Sequence, residues 1–217
     1  MGVKSKFERD FEETTHLFPK LKYRKDNEAN MWVVSGELDI CDRVGDFWRT
    51  FIIAIDLPFS YPYCVPEVRE ISHNIKREDN WHISKNGKCC IDIDHKLLIY
   101  NKRGFNITDF ITQKVYPYFA NQIFKDKSGN YADGEYQHNL EGVRQFYREE
   151  LKIKSETLAV KILQKLISNK LPGRNDPCVC GNSKFKHCHL KSIQFLQSLP
   201  IETLKADLDS FSRFIGE

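Results

Sequence analysis

The chain has 217 residues, of which 41% are hydrophobic, 12% aromatic and 29% charged. This composition is typical of a globular protein and excludes a disordered or fibrous chain. The net charge is only +3, because 33 basic residues nearly balance 30 acidic ones, so charge alone does not predict a nucleic-acid partner. No apolar run approaches the roughly 18 residues of a membrane span, and the first residues lack a signal peptide's apolar core, which predicts a cytoplasmic protein with no membrane partner.

Hydrophobic patterns predict a first helix and then strands. A modest helical periodicity runs from Lys6 to Leu17. Met31–Leu38 and Phe47–Leu57 are rich in β-branched and aromatic residues and are joined by the turn sequence CDRVGD, which predicts two antiparallel strands. The three prolines of LPFSYPYCVPEV, residues 57–68, exclude a helix and a central strand there. A further strand is expected to start at Val68.

The second half of the chain is predicted to be helical. Three helices are expected there, at Ile107–Phe124, Asn139–Leu151 and Ser155–Leu171. Asn106 or Thr108 is a candidate N-cap of the first of them, and Pro117 is expected to kink or split it. Pro172 follows the last helix and favours its termination there.

The order of these elements predicts an α+β fold. A helix, a strand meander and then further helices are typical of a domain whose helices gather at the ends of an antiparallel sheet. We predict a main domain over residues 1–151, a helical linker over residues 152–172 and a small C-terminal unit with a final helix over residues 173–217.

The seven cysteines predict thiol chemistry or metal binding. Their number is odd and the chain lacks a secretion signal, which argues against a disulfide framework. Cys89 and Cys90 are adjacent in the middle of the chain, and three others lie close together near its C-terminal end. Cys41 and Cys64 belong to no motif, and we expect both to be structural.

Two sequence blocks resemble the ubiquitin-conjugating enzyme (E2) family. PFSYPYCVPEV, residues 58–68, is similar without a gap to the family pattern P-x-x-Y-P-x-x-P-P-x-V, except that Val65 replaces the first proline of the pair. HISKNGKCCID, residues 82–92, resembles the family's H-P-N segment followed by G-x-x-C-L-D around the active cysteine. The resemblance implies the ubiquitin-conjugating (UBC) fold, a four-stranded antiparallel meander with flanking helices.

The resemblance places the working thiol at Cys90. Counting from Gly87, this residue and not Cys89 occupies the nucleophile position, and Cys89 is expected to be its buried neighbour. A thiolate there would accept an activated C-terminal acyl group by thioester exchange and pass it to an amine. The resemblance implies that His82 props the active-site loop through a hydrogen bond, with a general-base role as the alternative.

The second block departs from the family at the residue that helps to stabilise the oxyanion. The family's asparagine is replaced by Ser84, so Asn86, Asn80 or backbone N–H groups are the candidates for this role. Asp92 is expected to tune the incoming amine, and His138 to approach the site from the C-terminal side.

A third stretch suggests a biological setting. GEYQHNLEGVRQFY, residues 134–147, resembles the C-terminal part of bacterial E2-like proteins from antiphage (CBASS-type) or ubiquitin-like operons. This implies that Cys90 carries the C-terminus of a ubiquitin-like protein or of a cGAS/DncV-like nucleotidyltransferase. An E1-like activating protein is implied as a partner, because the chain has no phosphate-binding glycine loop of its own. A non-catalytic E2 variant that only binds a partner is the alternative.

The C-terminal cysteines belong to a zinc-type motif. GRNDPCVCGNSKFKHCH, residues 173–189, resembles the SEC-C motif G-R-N-D-P-C-x-C-G-S-G-K-K-[YF]-K-x-C-[CH], with one residue fewer between the second and third cysteines. A structural Zn²⁺ is expected on four side chains. They are Cys178, Cys180, Cys188 and His189. His187 is the competing ligand to His189, and the knuckle is expected to dock a protein partner rather than nucleic acid.

Overall fold

The computed structural model describes residues 3–132 and 139–216. The chain folds into two compact units, residues 1–135 and residues 136–217. The described part of the first unit confirms the α+β prediction, since it combines an antiparallel sheet with helices. None of the helices in the described ranges has both the length and the apolar character needed to cross a lipid bilayer.

The sheet of the first unit has four antiparallel strands in the order β1-β2-β3-β4. The strands are β1 (Leu21–Asp26), β2 (Met31–Cys41), β3 (Phe47–Pro58) and β4 (Glu67–Glu70). The two central strands confirm the predicted pair and extend it by a few residues. Strand β1 was not predicted from the sequence, because Leu21 is its one buried residue and the rest of LKYRKD is polar or exposed.

One face of the sheet forms the core. Phe51, Ile53 and Ile55 alternate along β3 and are fully buried, as expected for a strand with one face covered. Phe119 packs on Phe51 with 4.7 Å between ring centroids. The first helix, α1 (Lys6–Leu17), covers the other end of this face, where its Phe7 ring stacks on Trp32 of β2.

A long helical run crosses this core. It consists of α3 (Ile107–Phe110), a π-helical turn (Ile111–Val115) and α4 (Tyr116–Ser128), and it follows α2 (Asp94–Arg103). Asn106 caps the run, since its side-chain oxygen accepts the N–H of Thr108 at 2.7 Å. Pro117 lies in the first turn of α4, directly after the π-helical turn. Because proline has no N–H and crowds the preceding turn, the extra residue of that turn accommodates it without ending the run.

The second unit is helical and contains the cysteine-rich knuckle. Its helices are α5 (Asn139–Glu149), α6 (Glu156–Ile167), α7 (Leu190–Leu196) and α8 (Ile201–Gly216). Tyr147 of α5 packs on Phe211 of α8 with ring centroids 4.9 Å apart, and its hydroxyl donates to buried Asp207 at 2.7 Å. These contacts join the first and last helices of the unit into one core.

The division of the chain differs from the prediction. The main domain was expected to reach residue 151 and residues 152–172 to form a linker, but the boundary lies at residue 135. Helix α6 packs against α8 and buries Ile162 and Leu163, so it belongs to the core of the second unit. An amphipathic pattern shows that a helix has a buried face, but it does not show which partner covers that face.

Candidate functional site

The cysteine pair lies on a short segment that pairs with the edge of the sheet. Residues 82–90 double back on themselves, with Ile83 opposite Cys89, and Lys88 lies opposite Arg69 of β4. The N–H of Cys89 donates to the carbonyl of Val68 at 2.8 Å. Successive side chains in extended backbone point to opposite sides, so one cysteine of the pair faces the core and the other faces out.

The structure shows which cysteine of the pair is buried and which is exposed. Cys89 is 5% exposed and packs in the core, whereas Cys90 is exposed. Burial raises the pKa of the Cys89 thiol to about 12, which keeps it protonated near neutral pH. Burial has the same effect on Cys64, also to about 12. Cys90 is therefore the accessible thiol of the pair, as the sequence analysis expected.

The turn before Cys90 requires glycine. Gly87 has a φ of +86°, and a Cβ atom there would lie 2.5 Å from the backbone oxygen of Glu70. The close approach is stabilised by the N–H of Glu70, which donates to the carbonyl of Gly87 at 2.9 Å. A side chain at this position would force the turn away from β4 and move the segment that carries Cys90.

A buried ion pair lies beneath this turn. Glu70 Oε2 lies 2.6 Å from the guanidinium of Arg77, and their side chains are 0% and 16% exposed. The same guanidinium donates to the backbone carbonyl of Glu70 at 2.8 Å, and Glu70 Oε1 accepts the N–H of Asn74 at 3.1 Å. The pair thus joins the end of β4 to the loop that follows it, directly under Gly87.

His82 contacts the cysteine segment through its backbone. Its carbonyl accepts the N–H of Cys90 at 2.8 Å and the hydroxyl of Tyr118 at 2.9 Å. The His82 ring lies 5.3 Å from the ring of Tyr131. The backbone carbonyl of His82 therefore braces the loop, whereas a supporting hydrogen bond from its side chain stays a prediction. A general-base role for its ring stays a prediction.

A polar stripe on α4 holds this loop and was missed in the sequence. Three consecutive backbone carbonyls, of residues 80–82, accept hydrogen bonds from Lys125, Gln122 and Tyr118 respectively. All three side chains are buried. Their spacing of four and then three residues places them on one helix face. Polar residues at that spacing on an otherwise apolar face are the signal that could have revealed the stripe.

The turn contains Asn86 and the backbone N–H groups that are candidate oxyanion donors, whereas Asn80 lies before it in a short 3-10 helix, Asp79–Trp81. Ser84, at the position of the family's asparagine, accepts the N–H of Lys88 at 3.0 Å with its hydroxyl oxygen and donates to Asn86 Oδ1. Asn86 is exposed, and no described residue hydrogen-bonds its Nδ2 group, which remains available as a donor. The backbone carbonyl of Asn80 is the group that Lys125 holds.

Asp92 and His138 complete the predicted site residues. Asp92 is half-buried, its Oδ2 lies 2.7 Å from Lys114 Nζ, and its Oδ1 accepts the N–H of Ile93 at 2.9 Å. It therefore ties the chain entering α2 to the π-helical turn. Its effect on an incoming amine stays a prediction. His138 lies outside the described residues.

The second cluster can hold a metal ion. Its ligand atoms, one from each of four side chains, all lie within 4.8 Å of one another. The side chains are those of Cys178, Cys180, Cys188 and His189. His189 Nδ1 lies 3.3 Å from the sulfur of Cys178 and 3.1 Å from that of Cys188. His187 is exposed and is not part of the cluster, so the structure favours His189 over it.

The knuckle positions these ligands with a small hairpin. Pro177 lies opposite Lys184, and the N–H of Cys178 donates to the carbonyl of Ser183 at 2.8 Å. Phe185 is buried behind the cluster. Burial opposes ionisation of the Cys178 thiol, but hydrogen bonds from the backbone N–H groups of Cys180 and His189 outweigh it and lower the pKa of that thiol. A thiolate ligand is therefore favoured at this position.

The imidazole of the cluster is oriented by an outer partner. His189 Nε2 lies 3.1 Å from the backbone carbonyl of Lys152, an acceptor that requires Nε2 to carry the proton. The lone pair of Nδ1 is then available on the side of the ring where the sulfurs lie. In metal sites a ligating histidine commonly donates its other ring N–H to a backbone carbonyl, which fixes its tautomer in this way. Ser192 donates to the neighbouring carbonyl of Leu151 at 2.7 Å. The cluster is thus connected to the chain between α5 and α6.

The chain therefore offers two features for a functional interpretation. One is the exposed thiol of Cys90 on a loop braced by β4 and α4, and the other is the four-ligand cluster of the C-terminal unit. No family model matches the chain, and no curated protein matches it either.

Proposed function

We propose that the chain is an E2-like cysteine transferase whose Cys90 carries an acyl group as a thioester and passes it to an amine. The observation that carries the proposal is the split of the cysteine pair, with Cys90 exposed and Cys89 buried. The order of helix, four-stranded antiparallel meander and further helices supports a UBC-like fold. Of the two sequence blocks that resemble the family, residues 58–68 end within β4 and residues 82–92 include this pair.

The chemistry follows from an exposed thiol on a braced loop. The Cys90 thiolate attacks the carbonyl carbon of a donor thioester, a new C–S bond forms, and the donor thiolate leaves. An amine then attacks the Cys90 thioester, so that a C–N bond forms and the cysteine thiolate is released. The Nδ2 group of Asn86 or the backbone N–H groups of the turn would stabilise the oxyanion of each step, in place of the family's asparagine.

The partners of this reaction are proposed from the sequence resemblance. The acyl donor would be the C-terminus of a ubiquitin-like protein or of a cGAS/DncV-like nucleotidyltransferase, loaded by an E1-like activating protein that uses ATP. Bacterial antiphage defence in the cytoplasm would be the setting, since residues 134–147 resemble bacterial E2-like proteins of such operons.

We propose that the four-ligand cluster holds a structural zinc ion. Tetrahedral zinc with Zn–S bonds of about 2.3 Å separates its sulfur ligands by about 3.8 Å, which fits ligand atoms that all lie within 4.8 Å of one another. Bound zinc would fix the fold of the knuckle and leave no open position for catalysis. The folded knuckle, with its SEC-C-like sequence, would then dock a protein partner.

A non-catalytic E2 variant that only binds its partner is the second candidate. Ser84 replaces the family's asparagine, and its hydroxyl group is used inside the turn, where it bonds Lys88 and Asn86. A loop without a dedicated oxyanion donor is better suited to binding than to transfer.

Trapping of the thioester distinguishes the two candidates. The full chain is incubated with ATP and with the activating and ubiquitin-like proteins of its own operon, and adducts are separated on a gel without reducing agent. We expect an adduct that thiol removes, that Cys90→Ala abolishes and that Cys89→Ala retains. An adduct that persists in Cys90→Ala would overturn the assignment, and binding without any adduct would favour the non-catalytic variant.

A further inference from the structure

The surface beside Cys90 carries a lysine that the proposed reaction does not use. Lys88 and Cys90 are both exposed, and the buried Cys89 separates them in the sequence. In extended backbone, residues two apart point to the same side, with their Cα atoms about 7 Å apart. The ammonium group and the thiol therefore lie on one exposed face, close enough to interact electrostatically.

A glutamate on β4 completes this surface. Arg69 of β4 lies opposite Lys88, and Glu67 lies two residues before Arg69, so its side chain points to the same side of the strand as that of Arg69. Glu67 Oε2 lies 2.7 Å from Lys88 Nζ, and the two side chains are 40% and 55% exposed. A carboxylate on β4 is thus paired with the ammonium group that lies on the same side of its segment as the Cys90 thiol.

We propose that Lys88 is a self-acylation site, which takes the acyl group from the Cys90 thioester of the same molecule, and that Glu67 restrains this step by holding the amine in an ion pair. The inference rests on the proposed acyl-carrier function and names an acceptor within the chain. It also gives the Glu67–Lys88 pair a role beyond its small contribution to stability, since exposed ion pairs stabilise proteins only weakly.

The transfer consumes nothing except the thioester. The free amine of Lys88 attacks the thioester carbon, a C–N bond forms, the C–S bond breaks, and the thiolate of Cys90 leaves. The proton lost by the amine passes to solvent. The flexible four-carbon stem of Lys88 spans the distance between the two residues, so its nitrogen can come within about 3.5 Å of the thioester carbon, as attack requires. The product is an amide that thiols do not cleave.

The ion pair opposes this reaction in two ways. It directs the amine toward Glu67, and it keeps the amine protonated, because the hydrogen bond with Glu67 raises the pKa of Lys88 while burial lowers it less. The negative charge of Asp94 acts in the same direction as Glu67. A protonated amine has no lone pair for attack, so loss of the Glu67 charge should release a larger fraction of nucleophilic Lys88.

A synthetic acyl donor tests the step without an activating enzyme. The full chain is incubated with a short peptide that ends in a glycine sulfonatoethyl thioester, which loads Cys90 by thioester exchange. Hydroxylamine then removes all thioesters, and mass spectrometry of the digested protein measures the amide on Lys88. We expect a low level in the wild type, a rise of about threefold or more in Glu67→Gln, and none at this position in Lys88→Arg.

Matched variants make the result specific. Glu37→Gln removes the same charge from a second exposed ion pair of the sheet, 3.0 Å from Lys20, and should acylate Lys88 at the wild-type level. Cys90→Ala should reduce the Lys88 amide to the background of direct attack on the peptide thioester. The inference would be overturned if Glu67→Gln and the wild type formed the same amount of Lys88 amide, or if Cys90→Ala formed as much as the wild type. Loaded Cys90 with no Lys88 amide in any variant would overturn self-acylation alone and leave the trapping experiment to decide the proposed function.

Discussion

Exchange of both Cys178 and Cys180 for serine is expected to remove about one equivalent of bound zinc and to unfold the knuckle, residues 173–189. The knuckle is short, and its buried side chains are few beside the four ligands. Binding of structural zinc contributes about 10 kcal/mol or more to the folding of such small motifs. Metal analysis of the purified protein and limited proteolysis of residues 139–216 measure the two effects.

A control for this variant comes from the competing histidine. His187→Ala should keep the zinc and the protease resistance, because His187 is exposed and lies outside the cluster. His189→Ala should lower the zinc affinity, since it removes the ligand that Lys152 orients. Unchanged metal content in the double serine variant would contradict the ligand assignment.

Removal of the buried carboxylate of Glu70 is expected to destabilise the first unit by about 3–5 kcal/mol. Glu70→Ala leaves the guanidinium of Arg77 largely buried without its counter-charge, and a buried charge that has lost its partner is costly. The same change frees the N–H of Asn74 and loosens the loop that braces the Gly87 turn. Urea unfolding followed by the fluorescence of the tryptophans measures the loss.

The matched control lies three residues earlier in the same strand. Glu67 also forms an ion pair with a basic residue, but its side chain and that of Lys88 are 40% and 55% exposed. Glu67→Ala should therefore change the free energy of unfolding by less than about 1 kcal/mol. Equal effects of the two substitutions would show that burial of the Glu70–Arg77 pair does not determine its contribution to the free energy of unfolding.

Local patterns predicted much of the first unit. The helix at Lys6–Leu17, the two central strands and the cap at Asn106 all follow from residues that are neighbours in the sequence. The edge strand β1 was missed, because its stability comes from pairing with β2 and not from a periodic apolar pattern. The boundary between the units was placed too late, since the partner of an amphipathic helix is decided by tertiary packing.

The candidate site likewise contains residues that were predicted from the sequence and residues that were not. Adjacent cysteines in an extended segment predicted one buried and one exposed thiol, and the resemblance to the SEC-C motif predicted the four side chains that cluster in the knuckle. The Glu70–Arg77 pair and the stripe from Tyr118 to Lys125 were not predicted. The spacing of the stripe could have revealed a buried polar face on α4, but not that the carbonyls of residues 80–82 are its partners. Nothing in the sequence marks Glu70 and Arg77 as buried partners.

The most direct test of the central claim is the chemistry of the bond formed at residue 90. With Cys90→Ser, the activated ubiquitin-like protein should form an oxygen ester at this residue, which resists thiol and is cleaved by mild base, whereas the wild-type adduct is cleaved by thiol. Intact-mass measurement before and after each treatment, with mapping of the modified peptide, reads out the bond. A thiol-sensitive adduct in Cys90→Ser, or an adduct mapped to another residue, would contradict the assignment of Cys90 as the acyl carrier.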